Sequence, residues 1–530
     1  MHFSAIIVLA AAAAIAQEGI PVTDPTVQAK CGGTCHARDE RGNLDRISSA
    51  RATPEGWQDV LKRMMRDHGV SINTAEARAI VKDLANNHGL TPQEAAAVRY
   101  GPERRIRKET NIPNDQIGNA CAQCHALAVP LSWRRSAAEW KRFIEEHATR
   151  LKFAPNQEVV AFFSKTAPLV TPEWDASRAP HAQDVAGRWL VTAYQLGRGK
   201  YWGEMQVERA ASGDLTARTK LTSMADGSVL VREARGVVYA NSAWRGRSVG
   251  SAPAHGATPD DPLNEAREVM TISGASAEGR WFWGQYQEFG FDVHWQRDSG
   301  GAVLLALDRT ALKAGTKGNR VRFVGSHFPV EGTVADLIVG PGVVVRSIVS
   351  RAATEIVAEL EVVADALVGR RDAVAHGSRL TGALAIYDRV DYVKVAPDSA
   401  VASFSDATHP RGFLPFEAIG YQRGPDGRTH TDDDLELGPV EVTWSLQVFH
   451  ELANTERVGR VTAAGLFEPA MENPAQNFDV WVTATATGEK GLSGKPLVGK
   501  AYLVVAPPTY SIGGRKYVRD LDRWVDERNR

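Results

Sequence analysis

The stretch Cys121-Ala122-Gln123-Cys124-His125 has the pattern Cys-x-x-Cys-His, which is typical of covalent attachment of a c-type haem. Two thiols must reach the two vinyl groups of one porphyrin, and the adjacent imidazole must bind the iron as proximal ligand. A two-residue spacer on the first turn of a helix meets both requirements. The motif therefore predicts that Cys121 and Cys124 attach a haem whose iron is bound by His125.

Two other uses of a Cys-x-x-Cys pair compete with this interpretation. A zinc site would need a second cysteine pair at ribbon or finger spacing, but the chain has only four cysteines and none follows Cys124. A thioredoxin-like motif would lie in a βαβ unit, whereas the flanks of this motif have helical patterns. Haem attachment is the interpretation that the sequence favours.

A second motif near the N-terminus is irregular. Cys31 and Cys35 are separated by three residues, and His36 follows at once. The spacer begins with Gly32-Gly33, the residue type best able to bend the backbone around an extra position. The alternative is a strained local disulfide beside a histidine. We expect haem attachment here as well, because the surrounding segment recurs later in the chain.

The segments Trp57 to Met64 and Trp140 to His147 align without a gap at a constant offset of 83 residues. In each, an aromatic residue, two apolar residues and one potential iron ligand lie at i, i+3, i+4 and i+7, on one face of a helix. A second helix is predicted after each segment, over 74–84 and 156–164. The sequence thus predicts two copies of a haem–helix–helix unit.

The repeat also predicts the distal iron ligands. Met64 is the candidate for the first haem, with Met65 and His68 as alternatives, and His147 is the candidate for the second. The competing interpretations are a core methionine and a surface histidine. Since a thioether ligand raises haem potential relative to imidazole, the first haem is expected to have the higher potential, so that electrons enter at the second haem and leave from the first.

The N-terminus has the features of a signal peptide. An unbroken apolar run from Ile6 to Ala14 is followed by small residues at Ala14 and Ala16, which predicts cleavage before Gln17 and export. The run is too short for a membrane anchor, and no interior run of about 18 apolar residues predicts a membrane span. The formal net charge of -1 argues against a nucleic-acid partner.

From about residue 181 the pattern changes to short strands between turn signals. We expect a multidomain chain in which an N-terminal all-α dihaem cytochrome c domain precedes three antiparallel β domains of barrel or immunoglobulin-like sandwich type. No catalytic cluster is evident in the β domains. Asp426 with Asp432, Asp433 and Asp434 could attract calcium, but the stretch departs from the EF-hand loop and is interpreted as a solvated turn. The predicted limits are 1–16 for the signal peptide, 17–180 for the dihaem domain (repeats of about 17–100 and 101–180), 181–326 for a barrel, 327–403 and 404–510 for two sandwiches, and 511–530 for a tail.

In this order of motifs the chain resembles the α subunit of quinohaemoprotein amine dehydrogenase, over essentially all of the mature sequence. The order matters more than any single motif beyond the haem sites. The segments that carry the resemblance are both haem motifs, Trp57 to Met64 with His68-Gly69-Val70, Asn87 to Glu94, Arg134-Arg135-Ser136 with Glu139-Trp140, Phe416 to Ile419, Gly424 to Gly427, Trp444 to Leu446 and Gly465 to Ala470.

The resemblance implies a periplasmic heterotrimer in which a small subunit carries cysteine tryptophylquinone, a second subunit forms a β-propeller, and the α subunit holds two haem c groups. It implies that primary amines are oxidised to aldehydes at the quinone, on another chain, and that the haems pass electrons to a soluble cupredoxin or cytochrome c. The sequence departs from the family pattern between Cys31 and Cys35, where a two-residue spacer is expected.

Two other functions remain open from the residues alone. A self-contained dihaem enzyme such as a peroxidase would need one iron with an open position, and therefore displacement of Met64 or His147. A binding protein would use exposed aromatic residues around Trp281 and Trp283, but strand aromatics are more often buried.

Overall fold

The computed structural model describes residues 19–98, 113–122, 126–177, 184–210, 214–251, 265–283, 286, 289–406, 411–448, 455–491 and 494–507. The predicted signal peptide, the C-terminal tail, Cys124 and His125 lie outside the described residues. Within the described ranges, no helix is both long enough and apolar enough to cross a bilayer.

The prediction of an all-α N-terminal domain is wrong. The structure is mostly β, with 46% of residues in strands and 21% in helices, and strands occur in the N-terminal region too. The four longest described helices were predictable because they repeat an apolar residue every three or four positions, whereas a three-residue strand has no period to detect. The described α-helices are α1 (Pro25–Cys31), α2 (Pro54–His68), α3 (Thr74–Asn87), α4 (Pro92–Ala96), α5 (Asp115–Ile117), α6 (Ala128–Leu131), α7 (Ala137–Leu151), α8 (Gln157–Thr166) and α9 (Pro172–Ser177).

Strands β1 (Ala50–Ala52) and β2 (Trp133–Arg135) form a two-stranded antiparallel sheet. Arg51 pairs with Arg134 in its centre. These two residues are also equivalent in the repeat, at the same offset of 83 as the helices that follow. An antiparallel pair centred on equivalent residues places a local two-fold axis between the two repeats.

The long helices α2 and α7 begin at equivalent caps. The hydroxyl of Thr53 accepts a hydrogen bond from the Gly56 amide, and the hydroxyl of Ser136 accepts one from the Glu139 amide. The predicted second helices are confirmed as α3 and α8. Each β1 or β2 strand therefore leads through one capping residue into the helix that carries a predicted distal ligand.

After the two helical repeats the chain forms a closed eight-stranded barrel. Alternate side chains of its strands fill the interior, which is dominated by buried tryptophans at 189, 244, 281, 283 and 295. Its strands are β3 (Gly187–Gln195), β4 (Gly199–Arg209), β5 (Leu215–Ser223), β6 (Val229–Tyr239), β7 (Ala243–Gly250), β8 (Ala266–Ser273), β9 (Ser276–Phe282) and β10 (Gly290–Arg297).

Two four-stranded sheets then share one core in a sandwich, in the orders β11-β13-β16-β15 and β12-β18-β17-β14. The first of these sheets includes strands on both sides of residue 326, where the sequence analysis placed a domain limit. Strand pattern alone does not show which sheet a strand joins. These strands are β11 (Val303–Leu307), β12 (Ala311–Lys313), β13 (Asn319–Ser326), β14 (Leu337–Val339), β15 (Val343–Ala352), β16 (Glu355–Val362), β17 (Gly369–Ala375) and β18 (Ser378–Tyr387).

The last β region contains three sheets around another core, in the orders β19-β22-β23, β20-β28-β27-β24 and β21-β26-β25. Its strands are β19 (Tyr392–Ala396), β20 (Ser399–Ser403), β21 (Leu414–Pro415), β22 (Glu417–Gln422), β23 (Leu435–Pro439), β24 (Val442–Val448), β25 (Gly459–Val461), β26 (Leu466–Pro469), β27 (Phe478–Lys490) and β28 (Pro496–Ala506).

Candidate functional site

The two glycines of the first motif allow its three-residue spacer to form a tight turn. Cys31 ends α1, and its carbonyl accepts a hydrogen bond from the His36 amide at 3.1 Å. Gly33 has a φ of 78°, the left-handed region that favours glycine, and a Cβ on Gly32 would lie 2.5 Å from the Gln28 carbonyl oxygen. The extra residue is therefore absorbed in a turn that keeps the motif compact.

The ring of His36 is oriented by a hydrogen bond to the backbone. Its Nδ1 lies 2.9 Å from the carbonyl oxygen of Asp45. Because a carbonyl can only accept, Nδ1 carries the proton and Nε2 is the nitrogen with a lone pair available. Histidine ligands in metal sites are commonly oriented by such a bond from the other ring nitrogen. The donor set of this motif therefore fits a haem bound through His36.

The described cysteines are thiols. Cys31, Cys35 and Cys121 are all free, so the structure does not contain the local disulfide that was the alternative at the first motif. Burial, with a smaller contribution from Cys35, raises the pKa of the Cys31 thiol to about 11. Burial likewise raises the pKa of the Cys121 thiol to about 11.

Around the first motif, Cys31 and Met65 pack against a buried apolar cluster that includes Trp57 and Leu61. Among the described residues, Met64 is not part of this cluster. Met65, which the sequence analysis kept as an alternative to Met64, is therefore the methionine nearer to the core that Cys31 contacts. His68, the other alternative, is exposed at the end of α2.

At the second motif, Cys121 lies in a short π-helix (Gly118–Ala122) and packs against a cluster that contains Trp140 and Phe163. The predicted distal ligand His147 lies on α7, with its ring stacked on Phe143 at 5.9 Å between centroids. The structure thus places Cys121 against the same apolar cluster as Trp140 and Ile144 of α7, the helix that carries His147. Cys124 and His125 are outside the described residues.

The two repeats also share a buried indole bond. Trp57 Nε1 donates to the His88 carbonyl at 2.9 Å, and Trp140 Nε1 donates to the Ala167 carbonyl at 2.7 Å. In each case the indole of the first helix donates a hydrogen bond to the carbonyl of the residue that caps the C-terminus of the second helix. The same interaction therefore fixes the helix pair of both candidate sites.

Four models of protein families match consecutive parts of the chain. Residues 22–164 match the haem-binding domain of quinohemoprotein amine dehydrogenase A, alpha subunit. Residues 182–298, 302–388 and 393–513 match domains II, III and IV of the same subunit. The chain belongs to the quinohaemoprotein amine dehydrogenase α-subunit family. This confirms the resemblance drawn from the sequence and assigns this α subunit a haem-binding domain, consistent with an electron-transfer subunit of an oxidoreductase.

No curated protein matches this α subunit. Among solved structures, a redesigned β barrel is 14% identical and covers 22% of this chain and 92% of its own, with a TM-score of 0.18. A structure of Sidekick-1 immunoglobulin domains 1–4 is 10% identical and covers 61% of this chain and 94% of its own, with a TM-score of 0.14.

Beside the two sites, the α subunit contains a buried ion cluster that the sequence analysis did not find. Arg51 is fully buried and binds both carboxylate oxygens of Glu94, at 2.9 and 2.8 Å. Arg134, its partner across the β1–β2 sheet, reaches the same carboxylate at 3.2 Å. The cluster therefore joins the two repeats at their local two-fold axis.

The haem-binding region of the α subunit is fixed to the barrel by polar contacts. Arg245 of β7 forms an ion pair with Glu55 of α2 at 2.5 Å, and the Ala240 amide donates to the Asn86 side chain at 2.9 Å. Tyr239 completes the apolar core of the first repeat. The barrel thus supports the helix that carries Met64 and Met65.

Proposed function

We propose that the α subunit binds two haem c groups covalently and passes electrons from a cysteine tryptophylquinone on a partner subunit to a soluble cupredoxin or cytochrome c. The overall reaction is the oxidative deamination of primary amines in the periplasm. The observation that carries the proposal is the orientation of His36, whose Nδ1 is bonded to Asp45 beside two free thiols, within a matched haem-binding domain.

The residues that hold the groups follow from the two motifs. Cys31 and Cys35 would form the thioethers of the first haem, with His36 as proximal ligand. Cys121 and Cys124 would do the same for the second, with His125 as proximal ligand and His147 as distal ligand. Met64 is the proposed distal ligand of the first haem, and Met65 is its alternative. A bound haem supplies a one-electron couple, and the chain's part is to hold, orient and shield it.

Membership of the family supports a proposal about the partner subunits. The sequence has no cysteine after Cys124, so the β domains cannot hold a Cys–Trp quinone, and we propose that the quinone lies on another chain. We propose a heterotrimer with a β-propeller subunit and a small quinone-bearing subunit. Co-purification of this chain with a quinone-bearing subunit is the expected result, and purification of an active enzyme from this chain alone would contradict it.

The haem count tests the central proposal. We expect two haems per chain in a pyridine haemochrome assay on the exported, matured protein, and a mature N-terminus at Gln17. The variant Cys35→Ala, at an exposed thiol, should lower the covalent haem of the first motif, whereas Thr216→Ala, at an exposed position of the barrel strand β5, should not change it. A colourless wild-type protein would contradict the proposal.

The distal ligand of the first haem needs a matched pair of variants. Met64→Leu and Met65→Leu remove the same thioether one helical position apart, which turns the side chain by about 100° around the axis. We expect one of the pair to lower the potential of one haem and the other to leave both potentials unchanged. Carbon monoxide binding to the resting wild-type protein would instead favour an open iron position, as in a peroxidase. The domain limits given above stay predictions, which limited proteolysis can test.

A further inference from the structure

The two strands at the local two-fold axis differ in side chains although they are equivalent in the repeat. At the offset of 83, Trp133 and Arg135 of β2 correspond to Ala50 and Ala52 of β1. The second repeat therefore supplies two large side chains at a position where the first repeat supplies two methyl groups. Both large side chains lie at the junction between the candidate haem sites.

Trp133 links the cores of the two repeats. It packs against the cluster that contains Cys31 and Trp57 and also against the cluster that contains Cys121 and Trp140. Its ring lies edge-on to that of Trp57, with 5.5 Å between centroids. One indole thus contacts the apolar clusters of both candidate sites.

Arg135 lies on this indole and is 8% exposed. The carbon at the centre of its guanidinium is 4.5 Å from the ring centroid of Trp133, 5.4 Å from that of Trp140 and 4.6 Å from that of Phe143. Its buried Nε has no hydrogen-bond partner among the described residues. Its nearest carboxylate is that of Glu139, at 3.6 Å, which is longer than a hydrogen bond.

The charges around Arg135 do not balance. Glu139 is also bound by Arg46 at 3.2 Å, and Glu146, the other carboxylate that acts on Arg135, is bound by Arg46 at 2.8 Å. Burial, with the positive charges of Arg46 and Arg63, lowers the pKa of the Arg135 guanidinium to about 10 against the opposing effect of Glu139. A buried charge without a well-bound partner is strongly destabilising, so this position is suited to a further anion.

We propose that Arg135 binds a propionate carboxylate of a haem at the junction of the two sites. This inference rests on the proposed function. A haem carries two propionates, and the planar guanidinium of arginine matches a carboxylate in two parallel hydrogen bonds. Arg135 is only 8% exposed among the described residues, which leaves little access for a carboxylate of a partner protein. Bound in this way, Arg135 is a positioning residue that also raises the potential of the haem it contacts, because a nearby cation favours the reduced state.

The test uses the matured holoprotein and the variants Arg135→Gln and Arg135→Lys, with Lys141→Gln as the matched control. Lys141 lies on α7 and loses the same unit of charge, but its side chain is 57% exposed and paired with Glu145 on the surface. Three quantities are measured: the haem count by pyridine haemochrome, the midpoint potentials by spectropotentiometry, and the propionate bending band by resonance Raman spectroscopy.

We expect Arg135→Gln to keep its covalent haems, to lower the midpoint potential of at least one haem and to shift the propionate band. Arg135→Lys should lower the potential less while still shifting the band, since lysine keeps the charge but not the planar pair of donors. Lys141→Gln should change neither quantity. If Arg135→Gln does not accumulate, the Raman band of Arg135→Lys decides.

Unchanged potentials and an unchanged propionate band in Arg135→Gln, with two haems present, would overturn the inference and leave the proposed function intact. An unchanged band in Arg135→Lys would overturn it as well when that variant must decide. A wild-type protein with fewer than two haems would overturn the proposed function itself. The failures of the two proposals are therefore distinguishable.

Discussion

The ion cluster at the two-fold axis gives a quantitative prediction for Glu94→Ala. The carboxylate of Glu94 is bound by Arg51 at 2.8 and 2.9 Å and by Arg134 at 3.2 Å, and it also accepts the Thr91 amide at 2.9 Å. Arg51 has no exposed surface. The substitution would leave two buried guanidinium groups facing each other without their shared anion.

Removing one member of a buried ion pair typically costs about 3–5 kcal/mol. Glu76→Ala is the matched control, because Glu76 closes the same kind of capping box at the start of α3, with Asn73, but its only described ion pair is with Lys30 at the surface. We therefore expect Glu94→Ala to destabilise the haem-binding region several times more than Glu76→Ala. The difference isolates the two buried arginines from the loss of the cap.

Hydrogen–deuterium exchange of peptides that contain β1 and β2 measures this difference locally. The expected loss corresponds to faster exchange by roughly two orders of magnitude or more for Glu94→Ala, since each 1.4 kcal/mol is about tenfold. Equal exchange rates in the two variants would refute the reasoning, because they would show that the arginines do not depend on Glu94.

The same cluster sets a pH dependence. Burial alone would raise the pKa of Glu94, but the hydrogen bond and charge of Arg51, the Thr91 amide and the charge of Arg134 hold it below the usual value of 4.5. The ionised carboxylate therefore stabilises the folded state fully above that value, and this contribution is lost as the pH falls through the lowered pKa. The protection factors of β1 and β2, which correct for the intrinsic pH dependence of amide exchange, should therefore fall more steeply at acid pH in the wild-type protein than in Glu94→Ala.

Three further substitutions test other parts of the structure. Gly32→Ala should lower the haem content of the first motif in a pyridine haemochrome assay, because its Cβ would clash with a backbone oxygen at 2.5 Å. The Cβ of Gly33→Ala meets no atom within 4 Å, so this variant should cost only the left-handed backbone strain of about 1–2 kcal/mol. Equal haem loss in both variants would contradict this expectation. In the barrel, burial raises the pKa of Glu268, so the contribution of Glu268 to stability is present at low pH and is lost as the pH rises through its usual range. Glu268→Gln should therefore flatten the pH dependence of thermal unfolding, and an unchanged profile would be evidence against this. Tyr194→Phe removes the hydroxyl of the barrel that donates to Glu417 of the last β region at 2.5 Å. The free energy of unfolding in urea should fall by about 1–3 kcal/mol, and an unchanged unfolding midpoint would reject this expectation.

The sequence predicted those features that repeat along a single helix. The helix pairs that begin with the helices of Trp57 and Trp140 were found because their apolar residues recur every three or four positions. The periodicity favoured Met64, but Met65 stayed an alternative because it lies only one helical position away, about 100° around the axis. The structure adds packing, and it places Met65 with Cys31.

Features that depend on contacts distant in the chain were not predictable. Arg51 and Glu94 are 43 residues apart, and Arg134 lies a further 40 residues on, so no local pattern joins them. The strands β1 and β2 were missed for the same reason, because each has only three residues and is defined by its partner. The spacer of the first motif, by contrast, was predictable because its glycines are adjacent in the sequence. Gly32 and Gly33 were expected to bend the chain, and the structure shows a close backbone approach at Gly32 and a left-handed conformation at Gly33, both of which favour glycine.

The local two-fold axis bears on the direction of electron flow. Two equivalent sites would have equal potentials, so any gradient must come from residues that break the repeat. One such difference is the proposed distal ligand, Met64 in the first repeat and His147 in the second, which raises the potential of the first haem relative to the second. The other is Arg135, whose aromatic neighbours Trp140 and Phe143 belong to the second repeat. A cation on that side raises the potential of the second haem and so opposes the ligand effect. Loss of the charge in Arg135→Gln should therefore widen the gap between the two potentials, and a narrowed gap would place the guanidinium closer to the first haem.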